Sequence, residues 1–307
     1  MALPVIPLPT KKRSSADSVR FHIDQNAMRI ARPYLVAGFL VVSLFSPARA
    51  ETLSQQEPQQ ALVKFAPPDI ADIPNDENRN HILLGRRLLA QTRKLLPENV
   101  GNSLNCNNCH LGEGRVATAF PYFGVAVNYP QVISRVGRSV TVEERINGCF
   151  LRSMNGKELP VDSPEMSAMV AYLNWLSTGL PQHAKIEGAG VDKADTNLAP
   201  EPVHGKAVYE EKCARCHGTN GQGLENARNE LVIPPLWGDQ SFNIGAGMAR
   251  TYTAAGFVKN NMPLGQAGLS DQEAIDVAEY FTHQPRPDFP PKVNDWPNGG
   301  KPKDARY

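Results

Sequence analysis

The chain has 307 residues, of which 41% are hydrophobic and 21% are charged, and its formal net charge at pH 7 is +1. This composition is typical of a globular protein, and the length favours about two domains. Because the chain has no basic excess, it lacks the electrostatic footprint of nucleic-acid binding, and we expect no nucleic-acid partner.

The first fifty residues are predicted to be a secretory signal peptide. Arg29 and Arg32 precede an apolar run at 34–45, and residues 48–50 have the small-x-small pattern of a cleavage site. The run is short for a membrane span, although an uncleaved anchor is the alternative. We therefore expect the mature chain in the periplasm.

The true start of this leader is open. Met28 begins a compact signal peptide by itself, so residues 1–27 are either a spurious extension or a poorly structured one. Residues 1–50 hold seven of the 32 basic and two of the 31 acidic residues. The remainder has 25 basic and 29 acidic residues, a net charge of −4.

The first half of the mature chain contains three predicted helices. Apolar spacing and capping patterns mark them, with a capping box at Thr141 and Glu144 and an N-cap at Ser163. The predicted segments are a polar lead-in at 51–75, a helix at 76–96, a loop at 111–140, a helix from Thr141 to about Met154 and a helix from Ser163 to Gly179.

The second half repeats this plan after a linker. A second capping box is formed by Ser270 and Glu273. The predicted segments are a linker at 184–202, helices at 203–214 and 247–260, a helix from Ser270 to about His283, and a Pro-rich irregular tail at 286–307.

Each half also contains one C-x-x-C-H motif, the attachment signature of c-type haem. The two thiols bond to the haem vinyl groups, and the His ligates the iron. The motifs are Cys106-Asn-Asn-Cys109-His110 and Cys213-Ala-Arg-Cys216-His217. We expect two covalently bound haem c groups, one in each half.

Helix, haem motif, loop and closing amphipathic helix follow in the order that is typical of class I cytochromes c. The predicted fold class is therefore all-α, with two class I cytochrome c-like haem domains in tandem. The N-terminal domain is predicted at 51–183 and the C-terminal domain at 203–285.

The second iron needs a sixth ligand, and methionine is the expected one. Met262 precedes a proline on the loop before the last helix, where class I cytochromes place a distal Met. Thioether ligation raises the haem potential. Met248 is the rival ligand, and Met262 could instead only pack against the haem edge.

In the first half, Cys149 stands where a distal Met is expected. Thiolate is a soft ligand and a strong donor, so Cys149 is predicted to ligate the iron beside His110 or to take part in sulfur chemistry. The alternative is a buried, inert thiol.

Basic residues surround this cysteine. On a helix, Arg145, Cys149 and Ser153 have i, i+4, i+8 spacing and share one face. Arg152 flanks that face, and Arg135 and Arg138 arrive from the preceding loop. Arginine suits oxyanions, which predicts an anion pocket beside the haem and the thiol. Alternatively, some of these arginines bind haem propionates or solvent.

Two segments resemble a known family. Residues 144–160, ERINGCFLRSMNGKELP, and residues 234–248, PPLWGDQSFNIGAGM, are similar to signatures of the TsdA-type thiosulfate dehydrogenases. The resemblance covers roughly residues 75–290, including both haem motifs. It is far more specific than C-x-x-C-H alone.

The resemblance implies a periplasmic dihaem enzyme that joins two thiosulfates into tetrathionate and passes electrons to an external c-type cytochrome. The same site could work in reverse as a tetrathionate reductase. Its implied site residues are His110 and Cys149 as ligands of the active-site iron, Arg135, Arg145 and Ser153 in the substrate pocket, and His217 and Met262 at the second iron.

One position departs from part of this family. Some members place a Lys directly before the distal Met and exchange ligands with redox state, whereas this chain has Asn261. A Lys–Met exchange through that position is not expected, and Lys259 is the remaining lysine within reach.

Three other functions compete with this interpretation. A dihaem electron carrier would need a distal Met in both halves, and the first half has none. A SoxA-like subunit also pairs haem with Cys, but the segments 144–160 and 234–248 argue against it. A dihaem peroxidase needs an open haem with a catalytic acid, for which there is no clear candidate.

Overall fold

The structure is a computed structural model that describes residues 60–191, 194–227 and 230–307. The predicted signal peptide at residues 1–50 lies outside these residues. Within them, no helix is both long and apolar enough to cross a membrane. The described residues all belong to one compact unit, and the predicted domain bounds stay a prediction.

The first half contains the predicted helices. The predicted helix at 76–96 is present in two pieces, because the backbone at Gln91 (φ −125°, ψ 42°) leaves the helical region. Thr141 and Ser163 cap the following helices as predicted. The helices are α1 (Arg79–Ala90), α2 (Thr92–Leu95), the single turn α3 (Leu111–Gly114), α4 (Val142–Arg152) and α5 (Pro164–Leu176).

The second half, before the tail, also begins with one helix and closes with another. The helix predicted at 247–260 begins later, since Gly247–Ala249 form a separate 3₁₀ turn. The capping box of Ser270 with Glu273 is confirmed. The helices are α6 (Pro202–Lys212), α7 (Ala214–His217), α8 (Thr251–Asn261) and α9 (Asp271–Thr282).

The described part of the chain contains three short strand pairs that were not expected from the sequence. Segments of two or three residues are too short to show the alternation that marks a strand. β4 lies in the predicted linker and ties it to the first half through β1. The pairs are β1 (Leu62–Lys64) parallel to β4 (Lys185–Glu187), β2 (Gln131–Ile133) antiparallel to β3 (Arg138–Val140), and β5 (Leu224–Glu225) antiparallel to β6 (Leu231–Ile233).

In each half, the first helix packs against the last helix at a glycine. A Cβ added to Gly85 of α1 would lie 1.9 Å from the carbonyl oxygen of Ala168 in α5. A Cβ added to Gly205 of α6 would lie 1.9 Å from the carbonyl oxygen of Asp276 in α9. Backbones approach this closely only where one residue has no side chain. The two halves therefore share the same close helix crossing.

Buried amides join the two halves. Asn102 donates its Nδ2 to the carbonyl oxygens of Ser153, at 2.8 Å, and Ser241, at 3.0 Å. In the opposite direction, Asn243 donates its Nδ2 to the carbonyl oxygen of Leu151 at 2.8 Å. These bonds bind the end of α4 to the loop before α8, so the second half supports the helix that carries Cys149.

The tail packs on this body. It contains a 3₁₀ turn at Pro290–Asn294, and the side chains of Phe289 and Trp296 are buried. The backbone N–H of Trp296 donates to the carbonyl oxygen of Arg135 at 2.8 Å. The tail is thus irregular, as predicted, but it forms part of the packed structure.

The glycine crossings generate a stability prediction. Gly85→Ala and Gly205→Ala should each lower the free energy of unfolding by about 1–3 kcal/mol, because the helices must separate to admit a methyl group. Gly148→Ala in α4 is the control, since its Cβ would meet nothing within 4 Å. It should be neutral or slightly stabilising. Denaturant unfolding followed by circular dichroism measures all three, and equal stabilities would contradict the interpretation.

Candidate active site

A cavity of about 440 Å³ lies beside the first C-x-x-C-H motif. Side chains of α4 and α5 line it, together with Ile186 of β4 and the segment 189–190. Aromatic and aliphatic side chains form much of the remaining wall. Six predicted site residues meet there: Cys106, Cys109, His110, Arg145, Cys149 and Ser153.

Hydrogen bonds orient the motif at this cavity. The backbone N–H of Cys106 donates to Thr92 Oγ1 of α2 at 3.2 Å. His110 Nδ1 lies 2.5 Å from the carbonyl oxygen of Phe120, and its ring stacks on Tyr122 with centroids 4.5 Å apart. A ring that donates its Nδ1–H to a carbonyl leaves Nε2 available for a metal.

Cys149 is the ionisable thiol of this cavity. Its Sγ lies 2.9 Å from Nη1 of Arg145, one turn earlier on α4. Burial raises the pKa of the thiol, but the Arg145 guanidinium and the His110 ring outweigh burial and lower it to about 6. Burial raises the pKa values of Cys106 and Cys109 to about 12. Cys149 is therefore poised as a thiolate, the form that acts as nucleophile and metal ligand.

Two more polar side chains complete this wall. Ser153 ends α4, with its N–H donated to the carbonyl oxygen of Cys149, and it lines the cavity on the same face as Arg145. Tyr129 also lines the cavity, where its phenol adds to the effect of Cys149 in raising the pKa of the Arg145 guanidinium. Sequence analysis missed Tyr129 because it lies in a loop without any periodic pattern.

Arg135, the other predicted substrate arginine, is not among the described residues that line this cavity. Its Nη1 donates to the carbonyl oxygen of Gly245 at 2.5 Å, and its guanidinium lies 4.8 Å from the centre of the Trp296 ring. The neighbouring Arg152 donates two bonds to Asp295, at 2.9 and 2.7 Å. The buried carboxylate of Asp295 therefore neutralises part of the positive charge that the sequence suggested for an anion pocket.

A second cavity, of about 320 Å³, lies beside the second motif. His217 Nδ1 lies 2.9 Å from the carbonyl oxygen of Pro234, which repeats the arrangement of the first motif. Burial lowers the pKa of His217, which favours the neutral ring that binds metals. The predicted site residues that line this cavity are Cys213, Cys216, His217 and Met262. Met248, the rival candidate for the sixth ligand, lines it as well.

The residues before Met262 are held in place. The Nζ of Lys259 forms an ion pair with Asp271 at 2.6 Å. Asn261 is buried, and its amide bonds to Thr118 of the first half. These contacts hold both side chains on partners other than the second iron site, so neither is placed to take the position of Met262 as a ligand.

Both cavities fit a haem c group. Each supplies two thiols for the vinyl groups and one His for the iron, inside a largely apolar enclosure. Each also contains a second soft donor, which is the Cys149 thiol in the first cavity and a Met thioether in the second. The first cavity adds an arginine beside its soft donor.

The repeated helix plan and the two cavities define a c-type cytochrome with two domains in tandem. Residues 97–182 match the family model "SoxA/TsdA, cytochrome c domain", and residues 202–284 match "Cytochrome c". The thiosulfate dehydrogenase of Psychrobacter arcticus is 51% identical over 78% of this chain and 73% of its own length. That of Allochromatium vinosum is 42% identical over 86% of this chain and 97% of its own length. The chain belongs to the thiosulfate dehydrogenase family.

A solved structure agrees with this assignment. The chain is similar to the thiosulfate dehydrogenase TsdBA of Marichromatium purpuratum, with a TM-score of 0.67 and 38% identity. The match covers 71% of this chain, which spans about half (49%) of the length of that protein. The SoxA subunit of Paracoccus pantotrophus is more distant, with 27% identity over 41% of this chain.

The Asp295 contacts generate the next prediction. Asp295→Asn should lower the free energy of unfolding by about 2–4 kcal/mol, because it leaves the Arg152 and Arg135 guanidinium groups buried without a counterion. Asp288→Asn is the matched control, since Asp288 is exposed and its ion pair is with Lys292, four residues further along the same segment. Urea unfolding and limited proteolysis of the tail measure the effect, and an Asp295→Asn protein as stable as the control would contradict it.

Proposed function

We propose that this chain is an exported cytochrome with two covalently bound haem c groups that oxidises two thiosulfates to tetrathionate and passes the electrons to an external c-type cytochrome. The names of its relatives supply the substrate class, and the first cavity supplies the chemistry. The observation that carries the proposal is the Arg145–Cys149 contact of 2.9 Å beside His110. An inert buried thiol would have a raised pKa, as Cys106 and Cys109 do, so this contact favours a reactive thiol.

The two motifs would hold the two groups. Cys106 and Cys109 would form thioethers in the first cavity, where His110 and Cys149 are the iron ligands. Cys213 and Cys216 would do the same in the second cavity, where His217 and Met262 are the ligands. Once bound, each haem supplies one place for one of the two electrons that the reaction releases.

Arg145 acts on charge. Two thiosulfate dianions repel each other, and this repulsion opposes the formation of a bond between them. A fixed guanidinium in a mostly apolar cavity offsets the repulsion more strongly than water does. Ser153 on the same face and Tyr129 beside Arg145 add hydrogen-bonding groups for the sulfonate oxygens. Arg135 lies outside the cavity wall, next to the tail, and would add its positive charge from there.

Cys149 acts on sulfur. Its thiolate would form a bond to the terminal sulfur of one thiosulfate, and the two electrons lost in this step would pass one at a time to the external c-type cytochrome. The terminal sulfur of the second thiosulfate then attacks the sulfur bound to Cys149. The bond to Cys149 breaks, tetrathionate departs, and Cys149 leaves as a thiolate. The balance is two thiosulfates to one tetrathionate and two electrons.

Export is supported by the leader pattern at residues 1–50 and by the chemistry of c-type haem, which is attached outside the cytoplasm. The periplasm is therefore the proposed location. An external c-type cytochrome is the proposed acceptor, because electrons held one per haem leave one at a time.

The central test replaces the thiol. Cys149→Ala should abolish tetrathionate formation from thiosulfate with a ferricyanide or cytochrome acceptor. The variant lacks the sulfur atom to which the terminal sulfur of thiosulfate would bond. Both haem groups should remain attached, as counted by the pyridine haemochrome spectrum. Normal turnover in Cys149→Ala would exclude its role, and a haem-loaded wild type that forms no tetrathionate would favour the electron-carrier function.

The arginines give a matched pair of variants. Arg145→Ala should lower kcat/KM for thiosulfate by about 10²–10³, the usual effect of removing one group that stabilises charge in a closed site. Arg138→Ala is the control, because Arg138 pairs with Glu144 on the surface and its side chain is 59% exposed. It should stay within about twofold of wild type, since exposed ion pairs contribute little. Similar losses in both variants would mean that net charge, and not position, matters.

A further inference from the structure

A hydrogen-bonded pair joins the loop after the first motif to the end of α8. Thr118 Oγ1 donates to Asn261 Oδ1 at 2.9 Å, and Asn261 Nδ2 donates back to the carbonyl oxygen of Thr118 at 2.9 Å. The same Nδ2 also donates to the carbonyl oxygen of Phe257 at 2.9 Å. Asn261 is 6% exposed. Thr118 of the first domain therefore bonds to both the oxygen and the nitrogen of the buried Asn261 side-chain amide.

The loop around Thr118 also contacts both cavities. The carbonyl oxygen of Phe120 accepts from His110 Nδ1, and the Phe120 ring lines the first cavity. That ring stacks on Phe257 with centroids 5.6 Å apart and planes 4° apart, and Phe257 lines the second cavity. Cys109 lines both cavities. The segment 118–120 thus lies where the two sites meet.

Met262 follows Asn261 directly and is the first residue beyond α8. Its backbone N–H donates to the carbonyl oxygen of Val258 at 2.8 Å. Beyond Pro263, residues 264–268 are exposed, and Leu264 is 73% exposed. The chain on the far side of Met262 therefore gives it little packing support, and the buried amide of Asn261 is the anchor next to it.

We propose that Thr118, a residue of the first domain, is a positioning residue for the distal ligand of the second domain. Through Asn261 it fixes the end of α8, so that the Met262 thioether stays at the second iron. This assignment rests on the proposed ligation of that iron by Met262. It makes the second site dependent on the loop that also orients His110.

The test separates the hydroxyl from the rest of Thr118. Thr118→Val removes the donor to Asn261 Oδ1 and leaves a buried acceptor unpaired, whereas Thr118→Ser retains the donor. Oxidised, haem-loaded protein is titrated with imidazole, which competes with Met262 for the second iron. In Thr118→Val, imidazole should bind about fivefold to tenfold more tightly than in wild type, the factor that one buried hydrogen bond carries. Thr118→Ser should match wild type.

Two further readouts identify the haem that responds. The weak red absorption band of a Met-ligated ferric haem should weaken in Thr118→Val, and the potential of the second haem should fall, because Met ligation raises it. Thr178→Val controls for loss of a first-domain hydroxyl, since the Thr178 hydroxyl donates to the carbonyl oxygen of Asn174 in its own domain. Thr118→Val with wild-type imidazole affinity, band and potential would overturn the positioning role.

Met262→Leu distinguishes this inference from the proposed function. Loss of the red band in Met262→Leu is expected and supports the ligand on which the inference rests. A band that persists would assign the second iron to another ligand and overturn the positioning role together with the Met262 assignment. A wild type that shows the band and responds at Thr118, yet forms no tetrathionate, would overturn the proposed reaction and support the positioning role.

Discussion

Arg145 and Cys149 lie one turn apart on α4, and the 2.9 Å between guanidinium and sulfur governs what the first cavity can do. Burial would otherwise keep this thiol protonated, as it does for Cys106 and Cys109 beside it. The contact depends on α4 being held in place at both ends. Thr141 caps its start, and amides from Asn102 and Asn243 bind its end. The second domain is thus part of the support of the first site.

The two domains share a framework and differ in one donor. Both place a glycine where the first helix crosses the last, and both bond the motif His to a backbone carbonyl ten or seventeen residues on. The framework fixes the proximal side of each site. The framework does not fix the second soft donor of each site. Cys149 lies within α4, whereas Met262 lies just beyond the end of α8. One fold therefore provides a reactive site and a site suited to electron transfer.

Local patterns predicted most of this arrangement. The motifs, the capping boxes and the shared face of Arg145, Cys149 and Ser153 each depend on residues within eight positions, so the sequence displays them directly. Contacts between distant segments left no such pattern. Asp295 meets Arg152 across 143 positions, and Asn261 meets Thr118 across the same separation. The family resemblance implied that Arg135 lines the substrate pocket, whereas its guanidinium lies against Trp296 of the tail.

The tail changes the electrostatic argument that the sequence alone suggested. A local excess of basic residues around Cys149 predicted several arginines facing an anion. The structure divides them by partner: Arg138 pairs with Glu144, Arg152 with Asp295, and Arg145 with the thiol. Charge counted along the chain overstates the field at the site, because carboxylates from distant segments offset it. A single arginine inside an enclosed, mostly apolar cavity still acts strongly, since the effect of a charge depends more on its surroundings than on the number of its neighbours.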